Sequence, residues 1–300
     1  MKPAAALAFL SALVAPAIAD ETPADSPKVT DFIRVDENDS AARLQTAVTR
    51  FKKDGASVEL IGAVHLGDKA YYSKLNKRFE RYDALLFEMI GGEKIGGGAE
   101  AAEDADGEGE GKAGGQNLDA LHQIYGMISR FLGLTDQMSQ IDYNKKHFVH
   151  ADLSLQEFQD LQKERGESVL GFALDAARQM EKDGAAANQP DMAKLLTAMM
   201  SGNSNAVKLE IVHTLGAGDD QIAGFAGESV IISDRNAKCL KVLEEQVAGG
   251  KRKLGIFYGA AHFPEMEKRL LEAGWKRAGQ EWITAWDIPK PEPAEKKKAA

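Results

Sequence analysis

The sequence predicts an α/β fold: a mixed sheet built from two strand, Gly-x-x-His, helix, strand units at the chain ends, with a helical insertion between them. Three observations carry this. An apolar run of strand length closes on Gly62-Ala63-Val64-His65, and a second closes on Gly259-Ala260-Ala261-His262. Each is followed by a stretch of helical period and then by another short apolar strand. The residues between the two units have mainly helical spacing.

In chain order, Phe32-Ile33-Arg34-Val35 reads as an edge strand and Ala41 to Lys52, rich in alanine and long side chains, as a helix. Val58 to Val64 is a buried strand, Ala70 to Tyr82 a helix with Leu75, Phe79 and Tyr82 on one face, and Asp83 to Phe87 a strand that ends at Glu88. In the second unit Leu254 to Tyr258 is a strand, Pro264 to Glu272 a helix opening on proline, and Trp282 to Trp286 a strand introduced by Gly274. The middle reads as helices over Leu118 to Leu132, Leu155 to Lys163, Ser168 to Lys182, Met192 to Met200 and Ala237 to Val247. The helix from Leu155 follows a capping box, Ser154-Leu155-Gln156-Glu157.

The ends have other tasks. Residues 1–19 carry one early charge at Lys2, an apolar stretch from Ala4 to Val14 and a small-residue close at Ala17-Ile18-Ala19, the layout of a secretory signal peptide cleaved after Ala19. An exported protein, periplasmic or secreted, is expected, and the stretch is too short and alanine-rich to span a bilayer. Residues 20–30 form a polar lead and 289–300 a Pro/Lys tail with nothing to bury, leaving 31–288 as the α/β domain. Within it, 91–115 is a Gly-rich acidic loop holding seven acids against two lysines, and 117–230 is a mainly helical insertion. The loop reads as a solvated insertion, since glycine spacing gives its carboxylates no fixed geometry for a metal.

Composition limits the function. A net charge of −9 argues against nucleic acid as the main partner, because phosphate backbones need a clustered positive field. The single cysteine, Cys239, excludes a thiolate metal cage, so any metal must be held by His, Asp and Glu. A peptide or small-molecule substrate remains. Side chains at the carboxyl ends of strands in an open α/β sheet line the crevice where ligands bind. His65 and His262, delivered there by matched signatures, converge with Glu88 at the same edge in this reading. Two neutral nitrogens and one carboxylate suit a mid-row divalent ion with positions left for water and substrate. For either histidine alone, a hydrogen-bonded strand-end role is the competing reading.

The paired Gly-x-x-His signatures, Phe87-Glu88 closing the next strand, and Arg235-Asn236 ahead of the second signature resemble the TraB/GumN/Tiki group, related more distantly to erythromycin esterase and ChaN-like proteins. The resemblance covers Phe32 to Ile288 and is strongest over Leu60 to Met89 and Ile232 to Gly274. It implies a divalent-metal hydrolase, a peptidase or related amide or ester hydrolase using manganese, cobalt or zinc. His65, Glu88 and His262 become the metal centre, Glu88 and Arg235 the catalytic groups beside it, and Arg235 the cation that stabilises a developing oxyanion. Arg235 in a surface ion pair with Asp234 is the structural alternative. Tyr258, four residues before His262, and Asp68 with Tyr72 are further candidates for orienting water or substrate, each weighed against packing or capping. Two competing functions stay open: haem or small-ligand binding without turnover, from the ChaN likeness, and a metal-free esterase with a histidine base.

The other histidines read as structural. His147 and His150 lie on an extended segment at odd spacing, which sends their rings to opposite faces, and His122 and His213 lie in helical stretches. Met192, Met199 and Met200 read as an adaptable core stripe, with a hydrophobic ligand groove as the alternative.

Overall fold

A computed structural model describes residues 32–93, 126–167, 191–216 and 230–290. The segment expected as a signal peptide, nearly all of the stretch expected as an acidic loop, His122, the helix expected at Ser168 to Lys182 and residues 291–300 lie outside the described residues. The tail expected from Pro289 starts later than that, because Pro289 closes β9 opposite Ala41 and Lys290 donates to the Ser40 and Asn38 carbonyls.

Nine strands are named here: β1 (Ile33–Glu37), β2 (Ala41–Lys53), β3 (Ala56–Ala63), β4 (Leu66–Gly67), β5 (Ala84–Phe87), β6 (Thr135–Asp136), β7 (Phe148–His150), β8 (Lys253–Gly259) and β9 (Lys276–Pro289). The helices are α1 (Lys69–Phe79), α2 (Gln137–Gln140), α3 (Leu155–Arg165), α4 (Met192–Met200), α5 (Ser204–Gly216), α6 (Arg235–Ala248) and α7 (Phe263–Glu272), with a further helical stretch at 126–132. The main sheet is mixed, as expected. β9 runs antiparallel along one edge of β2, and β1 and β3 pair antiparallel with β2 on its other side. From β3 the order continues β8, β5, β7, all parallel.

The two ends of the chain thus interleave: β8, from the C-terminal unit, lies between β3 and β5 of the N-terminal unit. This brings the two signature strands side by side, with Ala63 opposite Gly259 in the register. The parallel strands are apolar along almost their whole length, as strands covered on both faces must be. Leu60, Leu86, Ile256 and Phe257 sit in the core with α1 residues Tyr71, Leu75 and Phe79.

Two expectations are corrected. Ala41–Lys53 is a strand of thirteen residues, not a helix. Its pairing partners on both sides outweigh the helical preference of its alanines and long side chains, a propensity worth only tenths of a kcal/mol per residue. Within the mainly helical middle, the extended segment carrying His147 and His150 joins the sheet, Phe148–His150 pairing with β5. Met192, Met199 and Met200 are exposed, and the buried residue of α4 is Ala198. The expected strands at β3, β5 and β8 and the expected helices at α1, α3, α4, α6 and α7 hold within a few residues, whereas β9 begins six residues before Trp282 and α5 is the helical stretch around His213, whose bounds the sequence leaves open. The capping box at Ser154 and Glu157 is formed in both directions.

Candidate functional site

Four strands and one helix start meet at the carboxyl edge of the parallel region. β3 runs out into Val64-His65, β5 into Glu88, β7 into Ala151-Asp152 and β8 into a single turn of 3-10 helix, Ala260–His262. Above them a π-helical turn, Val230–Asp234, leads into α6, whose first residue is Arg235. Such a turn inserts an extra residue and re-aims the side chains that follow it.

Arg235 is the hub. Its Nε and Nη2 donate to Oδ1 and Oδ2 of Asp152 at 2.9 and 2.6 Å, a two-pronged pairing, and Nη2 also donates to Glu88 Oε1 at 2.7 Å. Nη1 lies 3.3 Å from both the Ile231 carbonyl and His262 Nε2. All five N–H groups of the guanidinium are thereby engaged. A cation in the first turn of a helix faces the positive end of the helix dipole, a cost offset here by two carboxylates. Asp152 is wholly buried and also accepts the Leu153 N–H. The surface-pair alternative for Arg235 does not hold, since Asp234 pairs with Arg165 instead.

Glu88 bridges two elements. Its Oε1 faces Arg235 and lies 3.6 Å from His262 Nε2, while Oε2 accepts the Gly259 N–H at 2.5 Å. Burial works against its charge. The pull of His262, Arg235 and the Gly259 N–H outweighs burial and holds the carboxyl well below the usual carboxylate range. In turn, the carboxylates keep the Arg235 guanidinium charged in spite of its burial. The glycine of the second signature acquires a purpose here: a Cβ on Gly259 would stand 3.3 Å from Glu88 Oε2.

His262 is oriented from behind. Asn236 Nδ2 donates to the His262 carbonyl at 3.0 Å and to Glu265 Oε2 at 2.6 Å, which turns its Oδ1 toward His262 Nδ1 at 2.7 Å. Two acceptors fix the amide, so Nδ1 must carry the proton and Nε2 the lone pair in the neutral ring. Glu265 is itself held by Arg269, whose Nη2 reaches Ser233 Oγ at 2.8 Å.

The remaining candidates divide. His65 lies at the same carboxyl edge, exposed, with its carbonyl tied to the Gln137 N–H. It belongs to the edge but not to the buried cluster. Tyr258 packs its ring 5.2 Å from that of His262, yet its hydroxyl is used on the Ala151 carbonyl at 2.5 Å. The Asp68 carboxylate accepts the Asp287 N–H and Tyr72 donates to the Val64 carbonyl, so both serve packing. His147 and His150 bond to the carbonyls of Phe79 and Met89 respectively, and His213 pairs with Glu37. Among the described residues no three His, Cys, Asp or Glu side chains are gathered closely enough to hold a metal ion.

Asp152, Asn236 and Glu265 are members of the cluster that motif reading did not assign. Asp152 had one signal: it closes an extended segment just as Glu88 closes the strand before it. Comparison of the chain with protein-family models, with curated proteins and with solved structures finds no match in any of the three.

Proposed function

We propose that this chain is a hydrolase of the TraB/GumN/Tiki kind that cleaves an amide or ester bond of a peptide or small molecule, with His262 as its general base. One observation carries the reading: a buried histidine at the carboxyl edge of a parallel sheet, its tautomer set by Asn236 and its Nε2 lone pair facing Arg235 Nη1 at 3.3 Å and Glu88 Oε1 at 3.6 Å. The buried charges of Glu88 and Asp152 exceed that of Arg235 by one. The cluster therefore favours one added positive charge: as water oxygen bonds to the carbonyl carbon, His262 Nε2 exchanges its contact with Arg235 Nη1 for the water proton, and the imidazolium returns that proton to the leaving amine or alcohol as the C–N or C–O bond breaks. Glu88, kept ionised, stabilises the imidazolium that forms. Arg235 has no N–H left over for a substrate oxyanion in this arrangement. Its part is to hold Glu88 and Asp152 in place and face His262.

The divalent ion implied by the resemblance fits the same surplus of negative charge, but not the geometry as it stands, because a guanidinium nitrogen faces both Glu88 Oε1 and His262 Nε2. The second reading is the metal-assisted form, favoured by the exposed imidazole of His65 on the adjacent strand end: His65, Glu88 and His262 would hold the ion, which would supply hydroxide at neutral pH.

The test is hydrolysis of a panel of peptide amides and aryl esters by the purified protein, with its metal content measured, before and after chelation and with manganese, cobalt or zinc restored. Turnover lost in His262→Ala but retained in His65→Ala and after chelation supports the histidine-base form. Turnover lost in both variants and restored only by metal supports the metal-assisted form. Absence of turnover under every condition, or a fully active His262→Ala variant, overturns the hydrolase reading.

A further inference from the structure

The opposite end of the sheet carries a second feature, remote from the cluster at the carboxyl edge. A cavity of about 540 Å³ opens at the amino ends of β3 and β8, where Lys52, Lys53, Arg252, Lys253 and Lys276 line it against one acid, Asp54. In a chain of net charge −9, this is a local reversal of sign.

The register shows how it is built. Lys276 of β9 pairs with Lys52 of β2, Lys52 with Ser57 of β3, and Ser57 with Lys253 of β8. Directly opposed residues on neighbouring strands point to the same face, so three lysines and a serine stand in one row across four strands. At about 4.8 Å between strands the row is roughly 14 Å long. Lys52 and Lys276, directly opposite, repel one another, an arrangement that costs stability unless an anion lies between them.

Part of the positive charge has a structural explanation. Helix carboxyl ends gather at this edge of a parallel sheet and attract cations. Lys53 Nζ donates to the Ala273 carbonyl at 2.7 Å, just past the end of α7, and Arg252 Nη1 to the Val247 and Lys251 carbonyls at 2.9 Å, at the end of α6. The nearby Asp83 carboxylate accepts the backbone N–H groups of Arg252 and Lys253. The ammonium groups of Lys52, Lys253 and Lys276 remain, exposed and without a hydrogen bond or ion pair among the described residues.

We infer that this cavity is a binding site for a small ligand bearing two or more phosphate groups. Its volume is in the range of small-molecule sites, and lysine ammonium groups in a row meet successive phosphates as point charges. An inorganic oligophosphate and a phosphorylated organic molecule share this chemistry.

Isothermal titration of the full chain with inorganic tripolyphosphate and, separately, with fructose 1,6-bisphosphate tests the site and distinguishes the two sources. Binding of either probe is expected, weakened at least tenfold in the Lys52→Gln, Lys253→Gln, Lys276→Gln triple variant, and unchanged in a control carrying Lys74→Gln and Lys77→Gln on α1. Binding in His262→Ala should equal that of the unmodified chain, since His262 lies at the other edge of the sheet. Tripolyphosphate alone binding identifies a free oligophosphate, and tighter binding of the bisphosphate an organic phosphate. No binding of either probe, equal binding by the triple variant, or an equal loss in the α1 control overturns the assignment. Circular dichroism of each variant shows whether its fold is retained.

Discussion

Oδ1 of Asn236 lies 2.7 Å from Nδ1 of His262, and the amide that presents it is fixed by the His262 carbonyl and Glu265. The consequence is a ring with Nδ1 committed to the scaffold and Nε2 turned to Arg235 and Glu88, the side on which proton transfer is proposed. Replacing Asn236 by alanine removes that commitment, so both tautomers become populated and the ring is free to turn. Turnover should fall by roughly 10-fold or more, against about 100- to 10,000-fold for His262→Ala. The pH–rate profile is the readout that separates orientation from packing: its acid limb should move in Asn236→Ala, which a purely structural loss leaves in place.

The Arg235 to Asp152 pair is buried on both sides, so its removal must be read as charge left behind. Arg235→Met strands two carboxylates without their cation and should cost about 3–5 kcal/mol in urea unfolding. Asp152→Asn in the same background removes one of the stranded charges and should recover part of the loss. A double-mutant cycle in which the two changes simply add would show that the pair is not coupled.

The pH dependence of stability follows from Glu88. Its folded-state pKa is depressed below the ordinary glutamate value, so ionised Glu88 stabilises the fold. That contribution is fully present above about pH 4.5 and is lost as pH falls through the lower folded-state value. Glu88→Gln should therefore be less stable than the unmodified chain at pH 7, and the gap should narrow as pH is lowered from 4.5 toward 3. Thermal unfolding of both proteins across that range checks it, and a gap that widened with acid would reverse the assigned direction.

Three residues of the buried cluster, Glu88, Arg235 and His262, are legible in the sequence, and the others are hidden for physical reasons. Glu88, Arg235 and His262 end or begin apolar elements, and a polar residue at such a boundary in an α/β chain is a visible signal. Their convergence required β8 to lie between β3 and β5, which two similar units at the chain ends suggest but do not specify. Asp152 escaped because β7 is only three residues long, too short for its extended pattern to reveal a place in the sheet beside β5. Glu265 escaped because its role depends on Asn236, a hydrogen bond across 29 residues that no local spacing encodes. The helix expected at Ala41 to Lys52 failed for the opposite reason, a local preference overruled by strand partners that are distant in sequence.

Two glycines on β8 should separate the site from its scaffold. At Gly255 a Cβ would stand 2.6 Å from Leu85 Cδ1 and 2.9 Å from Tyr82 Cε2, and the Tyr82 ring has little room to yield because its hydroxyl is bonded to Glu59 and Arg78. Gly255→Ala should therefore destabilise the fold by about 1–3 kcal/mol, the usual range for overpacking, while any folded fraction keeps its turnover. At Gly259 the added methyl meets Glu88 Oε2 at 3.3 Å and otherwise only the edge of His262 at 3.8 Å. The Glu88 carboxylate must give way there, lengthening its bond from the Gly259 N–H and disturbing its approach to Arg235. Gly259→Ala should accordingly cost less than about 1 kcal/mol in unfolding yet lower turnover by roughly 10-fold or more, since misplacing a charged group by a fraction of an ångström weakens catalysis more than packing. Urea unfolding and turnover measured on the two variants side by side give opposite orders of severity if the glycine of the second signature serves the site, and the same order if it serves only the packing of the strand.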